Sequence, residues 1–338
     1  MNFLKTILIA ALNFLSKTSA SIPALKTFLY EIRNRNEFNN LYEHEKMLAD
    51  KNRVETYYKA IKNNISEGDM VLDLGSGTGI LSFFAAMNKP KKVYAIDHSD
   101  FIEVAKEIAK QNNFENIEFI KTTSRKFNPD VKFDVIIHEQ MGDYLFNENM
   151  IFNLLDLKKR LLKPKGKILP GKFELYVEPV DLREEFNIPF LWEYKCYGVN
   201  FTFLEKYYEN LEKFQPSDYY QEWIEAAAVK QFLCKPEPVL SFDLNTMNSA
   251  NEIPQTIEIE KQILEPGMFD GFCLYFNAIF DNEINLNTSP FSEYTHWGNC
   301  LFRIETRAVY GGEKVRYKIS MPDLLNITTW RVSIQKFK

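Results

Sequence analysis

Five short apolar runs alternate with segments of helical periodicity between residues 70 and 171. The runs are MVLDLG at 70–75, KVYAID at 92–97, NIEFIK at 116–121, FDVIIH at 133–138 and GKILPG at 166–171. Strands that are separated by helices are joined by crossover connections and lie parallel. The alternation therefore predicts a Rossmann-like, doubly wound parallel sheet with helices on both faces, spanning residues 38–170.

After Pro170 the pattern changes to strands that follow one another with little helix between them. The longest apolar runs are FELYVEP, QTIEIEKQIL, GFCLYFNAIF, CLFRIETRAVY, EKVRYKISM and WRVSIQKF. Gly311 and Gly312 separate two of these runs, as in a two-residue hairpin turn. Residues 171–338 are therefore predicted to form a second domain, an antiparallel β-barrel or sandwich.

An aromatic-rich segment of helical periodicity interrupts these strands at about residues 204–233. Its aromatic residues include Tyr207, Tyr208, Phe214, Tyr219, Tyr220 and Trp223. This helical insertion is expected either to cap the second domain or to form an arm that buries its rings against a second copy of the chain, giving a homodimer.

Residues 1–37 are predicted to be a leader or a separate helix. The uncharged stretch TILIAALNFLS at residues 6–16 is too short to span a bilayer. It resembles a secretory signal, but it also suits a helix that docks on the folded body or makes peripheral contact with a membrane.

The charge balance and the cysteine spacing exclude several classes of site. The chain has 41 lysines and arginines against 46 acids, a net charge of −5, which argues against nucleic-acid binding. Its 4 cysteines are far apart and form no CxxC pair, so no metal site is expected. This cysteine usage suits a reducing, cytoplasmic location.

A glycine-rich loop, VLDLGSGTG, ends the first strand and opens the first helix at residues 71–79. Glycine lets the backbone pass close under a nucleoside at the carboxyl edge of the sheet. Asp97 ends the second strand, where a carboxylate can accept both ribose hydroxyls. A nicotinamide enzyme would favour GxGxxG rather than this GxGxG spacing, although a dehydrogenase or a packing turn remains an alternative.

Two acids follow the fourth strand in HEQMGDYLFNE, where Glu139 and Glu148 flank Gly142. Two carboxylates that converge on one pocket repel each other unless a cation lies between them. A guanidinium offers paired planar donors that match such carboxylates. The alternative is a pair of unrelated surface acids on a loop.

Upstream, residues 42–53 are predicted to form one helix, with His44 and Met47 on the same face. Together with the loops above and the segment NTSPFSEYTHWGNCLF at residues 287–302, this helix resembles the protein arginine methyltransferases. The resemblance covers residues 38–338 and includes HEKMLADKNR, VLDLGSGTG, HEQMGDYLFNE and WEYKCYG in the family's order.

The resemblance implies methyl transfer from S-adenosylmethionine to an arginine of a protein or peptide. Glu139 and Glu148 would hold the guanidinium, while His296 would pair with Asp50 and relay a proton. Arg53 would bind the cofactor's carboxylate. The other expected cofactor contacts are His44, Asp73, Gly75, Gly77, Gly79, Asp97, Ser124 and Met150. The expected substrate contacts are Met47, Met141 and Trp297.

Four departures from the family pattern concern the same site. The family's YFxxY tyrosines are replaced by residues 34–38, NRNEF. Gln140 replaces an aromatic residue and His138 a serine, and Thr123-Ser124-Arg125 stands where acids usually bind the adenine. The alternatives are therefore a methyltransferase of the same fold with another acceptor and a catalytically silent binding module.

Overall fold

The computed structural model describes residues 40–207 and 220–337. The predicted leader at residues 1–37, with its signal, anchor and membrane alternatives, lies outside them. In the described part of the chain no helix is long and apolar enough to cross a membrane.

Five strands form a parallel sheet in the order β3-β2-β1-β4-β5. They are β1 (Met70–Leu74), β2 (Lys92–Asp97), β3 (Ile117–Lys121), β4 (Phe133–His138) and β5 (Leu162–Leu169). The helices are α1 (Leu41–Ala49), α2 (Lys51–Asn64), α3 (Ile80–Ala86), α4 (Phe101–Gln111) and α5 (Met150–Leu161). Each strand begins or ends within a few residues of its apolar run, and the three central strands β1, β2 and β4 are mostly buried.

The helix predicted over residues 42–53 is wrong in one respect, because it is broken at Asp50. The Asp50 side chain accepts a hydrogen bond from Arg53 N (2.9 Å), and its own N–H donates to Lys46 O (3.1 Å). Asp50 thus ends α1 and caps α2, as aspartate readily does. The apolar periodicity continues through this break, so it could not reveal it.

The remaining strands are antiparallel and form two larger sheets. They are β6 (Lys172–Leu182), β7 (Lys195–Cys196), β8 (Val199–Asn200), β9 (Gln221–Ile224), β10 (Val229–Phe232), β11 (Leu240–Asp243), β12 (Thr256–Gln262), β13 (Gly267–Ile279), β14 (Asn285–Asn287), β15 (Asn299–Val309), β16 (Lys314–Ser320) and β17 (Arg331–Phe337). One sheet follows β10-β6-β13-β15-β9, with β11 on β6 and β14 on β13, the second follows β12-β16-β17, and β7 and β8 pair only with each other. The predicted fold class, α/β followed by antiparallel β, is confirmed.

Two details of the second half differ from the sequence predictions. Gly311 and Gly312 lie in a turn in which Glu313 N donates to Tyr310 O (3.2 Å), but the turn is not a hairpin. It carries the chain from β15 in the first antiparallel sheet to β16 in the second. A local turn signal cannot reveal which strands pair across it.

The predicted helical insertion is only partly described, since residues 208–219 lie outside the described ranges. Residues 202–207 form a 3-10 helix, whereas β9 and β10 are strands that pair with β15 and β6. The helical prediction for residues 220–233 is therefore wrong. Pairing with distant strands outweighs the local helical spacing there.

One large apolar core joins the two halves of the molecule. It includes Tyr57 and Ile137 from the parallel half and Phe173, Trp297 and Trp330 from the antiparallel half. The antiparallel sheets are also joined by a hydrogen bond from Tyr317 on β16 to Val177 O on β6 (2.8 Å). The loops at the edge of the parallel sheet are therefore backed by the second half of the chain.

Candidate active site

Three neighbouring strands of the parallel sheet end at the candidate site. The glycine loop follows β1, Asp97 ends β2, and Glu139 follows β4. Because β1 lies between β2 and β4, these three carboxyl ends are adjacent. This edge is where parallel α/β sheets bind their ligands.

The glycine loop is a turn in which side chains at the glycine positions would be strained or would collide with neighbouring residues. Gly75, Gly77 and Gly79 have φ values of +75°, +51° and +87°, which favour glycine. A Cβ on Gly79 would lie 2.9 Å from the Phe83 ring, and one on Gly77 would lie 3.1 Å from the His44 ring. His44 thus reaches the loop from α1, as its assignment to the cofactor site requires.

Asp97 organises this loop with both of its carboxylate oxygens. Oδ2 accepts a hydrogen bond from Gly77 N (2.8 Å) and Oδ1 accepts one from Ser99 N (2.7 Å). A carboxylate oxygen has a second lone pair, so each can accept one more hydrogen bond. Asp97 therefore fits a vicinal diol such as that of a ribose.

Asp73 lies beneath the loop and is fully buried. Burial raises its pKa to about 7, which the nearby charge of Asp97 reinforces and a hydrogen bond from Ser82 Oγ (2.6 Å) opposes. Its Oδ1 has no hydrogen-bond partner among the described residues. Asp73 thus joins β1 to Ser82 on α3, and its contact with the cofactor stays a prediction.

Arg53 and Glu139 contact each other directly, although the family resemblance implies that Arg53 binds the cofactor and Glu139 binds the substrate. Arg53 Nη2 lies 2.7 Å from Glu139 Oε2, and the side chains are only 7% and 10% exposed. Arg53 Nη1 donates to Met47 O (2.9 Å). Its Nε is buried without a hydrogen-bond partner in the described part of the chain. The guanidinium therefore has donor capacity for an anionic group.

Tyr57 anchors the start of the acidic loop from α2. Its hydroxyl donates to His138 O (2.9 Å). Burial raises the pKa of Tyr57, and the negative charges of Glu139, Asp73 and Glu148 raise it further, against the opposing effect of Arg53. Both acids of the loop, Glu139 and Glu148, therefore act on the same buried hydroxyl. The sequence prediction missed Tyr57, although it lies one helical turn after Arg53.

The loop between the two acids turns back on itself. Leu145 N donates to Gly142 O (2.8 Å), and a Cβ on Gly142 would lie 2.0 Å from the Asn147 side chain. Met150 then begins α5 and is fully buried. Glycine is therefore required where the loop folds back.

Asp50 and His296 form the predicted pair across the two halves of the molecule. Asp50 Oδ2 lies 2.8 Å from both the backbone N and the ring Nδ1 of His296. Burial raises the pKa of Asp50, but hydrogen bonds from His296 and Arg53 N outweigh it and leave the pKa below its usual value. The pair fixes the α1–α2 junction against the second half of the chain.

The three predicted substrate contacts differ in accessibility. Met47 is half-buried beside Arg53, whereas Met141 is 1% exposed and Trp297 7% exposed. Trp297 Nε1 donates to Met141 O (2.8 Å), which ties the acidic loop to the segment that carries His296. Met141 and Trp297 thus stabilise the loop from within the core, and their contact with substrate stays a prediction.

Ser124 joins a chain of polar side chains beside the glycine loop. Its Oγ lies 3.4 Å from Asn153 Oδ1, and Asn153 Nδ2 lies 3.3 Å from Gln140 Oε1. Gln140 Nε2 is 3.8 Å from the position that a Cβ on Gly75 would occupy. The residue that replaces the family's aromatic side chain therefore lies over the glycine loop.

His138 is fully buried at the end of β4. Burial lowers its pKa to about 4, which a hydrogen bond to Pro170 O only partly opposes. Between pH 6.5 and pH 4 the folded protein therefore keeps this imidazole neutral. In the unfolded chain the imidazole has its ordinary pKa near 6.5 and takes up a proton over the same range.

We expect this difference to make stability pH-dependent. As the pH falls from 6.5 to 4, the free energy of unfolding of the wild type should decrease by on the order of 3 kcal/mol more than that of a His138→Gln protein. The glutamine amide does not titrate in this range. Urea denaturation of both proteins at pH 7.5, 5.5 and 4.5 measures the difference. Parallel pH profiles would contradict the buried, neutral state.

Comparison with known proteins gives the family of the chain. Residues 65–188 match a methyltransferase domain, and residues 172–335 match the arginine methyltransferase oligomerization subdomain. The chain is 32% identical over 293 residues to protein arginine N-methyltransferase 6 of Danio rerio, covering 84% of this chain and 82% of that protein. The chain belongs to the protein arginine N-methyltransferase family. Protein arginine N-methyltransferase 2 of Xenopus tropicalis is 29% identical, covering 82% of this chain and 65% of that protein.

Solved structures of arginine methyltransferases share this fold. The Trypanosoma brucei PRMT1 enzyme–prozyme heterotetrameric complex with AdoHcy is similar with a TM-score of 0.73 and 26% identity, covering 88% of this chain and 93% of that one. Protein arginine methyltransferase 10 of Arabidopsis thaliana gives a TM-score of 0.72 and 26% identity over the same shares. The prediction of an S-adenosylmethionine-dependent arginine methyltransferase is confirmed.

Proposed function

We propose that this arginine methyltransferase holds the guanidinium of a protein or peptide arginine between Glu139 and Glu148. The observation that carries the proposal is the position of Glu139, at the end of β4 beside the glycine loop and in contact with Arg53. Glu139 and Glu148 both raise the pKa of Tyr57, so the two acids lie near the same buried hydroxyl.

The cofactor is proposed to lie across the glycine loop. Gly75 and Gly77 let the cofactor approach the protein backbone, and Asp97 accepts hydrogen bonds from the two ribose hydroxyls. Ser124 and Gln140, which belong to the polar chain beside the glycine loop, are the proposed contacts of the adenine, since Arg125 cannot accept a hydrogen bond from an amino group.

Arg53 and Glu139 then exchange partners when both ligands bind. The cofactor's carboxylate pairs with the Arg53 guanidinium, which has the unpartnered Nε available. Glu139 is released to pair with the substrate guanidinium. Each charge is compensated before and after the exchange, so neither is left buried and unpaired.

S-adenosylmethionine supplies a methyl group on a positively charged sulfur, and a guanidinium nitrogen forms its new bond to carbon as the sulfur–carbon bond breaks. Two cations must therefore approach each other, and the carboxylates of Glu139 and Glu148 offset their repulsion and fix the angle of attack. The methylated nitrogen loses a proton, for which Glu148 or the His296–Asp50 pair is the acceptor.

The proposal is tested by two measurements on the purified chain in one buffer. Isothermal titration with S-adenosylhomocysteine measures cofactor binding, and a radiolabelled assay measures methyl transfer to an arginine-rich peptide. Binding with transfer supports the proposal. Binding without transfer to any arginine peptide, but with transfer to another amine, would overturn the choice of acceptor. Binding with no transfer to any acceptor would favour the silent module.

We further propose that two copies of the chain associate through the segment around β7 and β8. The tight turn between these strands carries Tyr197, which is fully exposed, and Val199, Phe203 and Tyr207 are each more than half exposed nearby. Apolar surface of this kind is typical of an interface between subunits. This segment also lies within the matched oligomerization subdomain.

Sedimentation velocity can test this interface. We expect the double change Tyr197→Ser and Phe203→Ser to convert dimers into monomers, because it removes apolar area that only association would bury. Tyr310→Ser is the control, since Tyr310 is also an exposed aromatic residue on a turn of the second half. Dimers that persist in the double variant would exclude this surface as the interface.

A cytoplasmic location stays part of the proposal, because the cofactor is a cytosolic metabolite.

A further inference from the structure

The backbone on both sides of Glu139 is fixed by neighbouring groups. The carbonyl that precedes Glu139, His138 O, accepts the Tyr57 hydroxyl at 2.9 Å. The amide that follows it, Gln140 N, donates to His138 Nδ1 at 3.4 Å. The His138 ring therefore bends back over the residue that the proposed function assigns to the substrate guanidinium.

A single neutral form of His138 satisfies both of its ring contacts. Nε2 lies 2.9 Å from Pro170 O, which can only accept, so Nε2 carries the proton. Nδ1 is then the acceptor that Gln140 N requires. A buried imidazole that makes both hydrogen bonds has one favoured orientation, because turning the ring would leave both partners unsatisfied.

Pro170 lies at the junction between the two halves of the molecule. β5 ends at Leu169 and β6 begins at Lys172. The ring of Phe173, on β6, packs 6.2 Å from the His138 ring. Through Pro170, His138 thus ties the first acid of the loop to the half of the chain that carries His296.

We propose that His138 is a positioning residue, which holds the backbone of Glu139 in register for the substrate guanidinium by bridging Gln140 N and Pro170 O. This inference rests on the proposed role of Glu139. The serine that the family pattern places here is too short to span both contacts, so the bridge is a property of this chain. A catalytic group displaced by about 1 Å can lose on the order of 100-fold in rate.

The test compares His138→Leu with His138→Gln. Leucine keeps the apolar volume but makes neither hydrogen bond, whereas the glutamine amide nitrogen can still donate to Pro170 O. We expect His138→Leu to lower kcat for an arginine-rich peptide by about 10- to 100-fold. The affinity for S-adenosylhomocysteine should stay within about twofold, and His138→Gln should recover most of kcat. Val135→Ala, on the same strand and equally buried, controls for loss of stability.

A second measurement does not depend on turnover. Hydrogen exchange followed by mass spectrometry should show faster exchange of the amides around Gln140 in His138→Leu than in the wild type or in Val135→Ala. Unchanged exchange and unchanged kcat would overturn the inference. So would an equal loss of kcat in His138→Leu, His138→Gln and Val135→Ala, since that would indicate a general structural role.

Two further variants distinguish a failure of the positioning inference from a failure of the proposed role of Glu139. Tyr57→Phe removes the other hydrogen bond to this backbone, so it reports on the same positioning even if His138→Leu does not fold. Glu139→Gln tests the proposed function itself. If Glu139→Gln transfers methyl groups at the wild-type rate, the proposed role of Glu139 fails, whereas faster exchange in His138→Leu would still support the bridge.

Discussion

We expect the Glu148→Gln enzyme to lose about 1,000-fold in kcat/KM for an arginine-rich peptide while its affinity for S-adenosylhomocysteine stays within about twofold. Glutamine keeps the shape of the side chain but removes its negative charge. The guanidinium then loses a charge-assisted hydrogen bond, and the repulsion between substrate and sulfonium is less well offset.

Radiolabelled methyl transfer and calorimetry on the same preparation give the two quantities. Glu55→Gln is a matched control, because Glu55 is an exposed acid on α2 that pairs with Lys59 rather than with the site. Equal losses of transfer and of cofactor affinity in Glu148→Gln would remove Glu148 from the substrate role.

The second large effect is expected at Asp97. Asp97→Ala should weaken S-adenosylhomocysteine binding by about 100-fold or more, because two hydrogen bonds from the ribose to a charged group are lost. The change also removes the acceptors for Gly77 N and Ser99 N, so the glycine loop loses its support at the same time.

Asp100→Ala provides the comparison for this measurement. Asp100 lies three residues further along the chain and forms a surface ion pair with Lys121. Its loss should leave calorimetric affinity unchanged. An Asp97→Ala protein that binds S-adenosylhomocysteine as tightly as the wild type would show that the ribose assignment is wrong.

The strands of the parallel sheet could be predicted closely because their signal is local. FDVIIH is mostly apolar and, apart from Asp134, is buried on both faces as β4, and the glycine loop follows β1 where the motif places it. The break at Asp50 could not be predicted from periodicity, since apolar residues continue on both sides of it. The strands β9 and β10 could not be predicted either, because their stability depends on partners far away in the sequence.

The site shows the same division between local and distant information. The sequence motifs predicted that Asp50, His296, His44 and the glycine loop lie at one site. They did not indicate that Arg53 contacts Glu139, because the two residues are 86 positions apart and each had a separate ligand assigned to it. Tyr57 was also missed, since a tyrosine on a helix face is usually a core residue and its partner is a backbone carbonyl.

Under the proposed exchange of partners, the contact between Arg53 and Glu139 links the binding of cofactor and of substrate thermodynamically. In the proposed exchange, a ligand that takes one of the two side chains as its partner separates the ion pair and leaves the other side chain ready for its own ligand. The cost of separating the pair is met once, by whichever ligand binds first. Reciprocity then requires that the cofactor increase the affinity for arginine by the same factor as arginine increases the affinity for the cofactor.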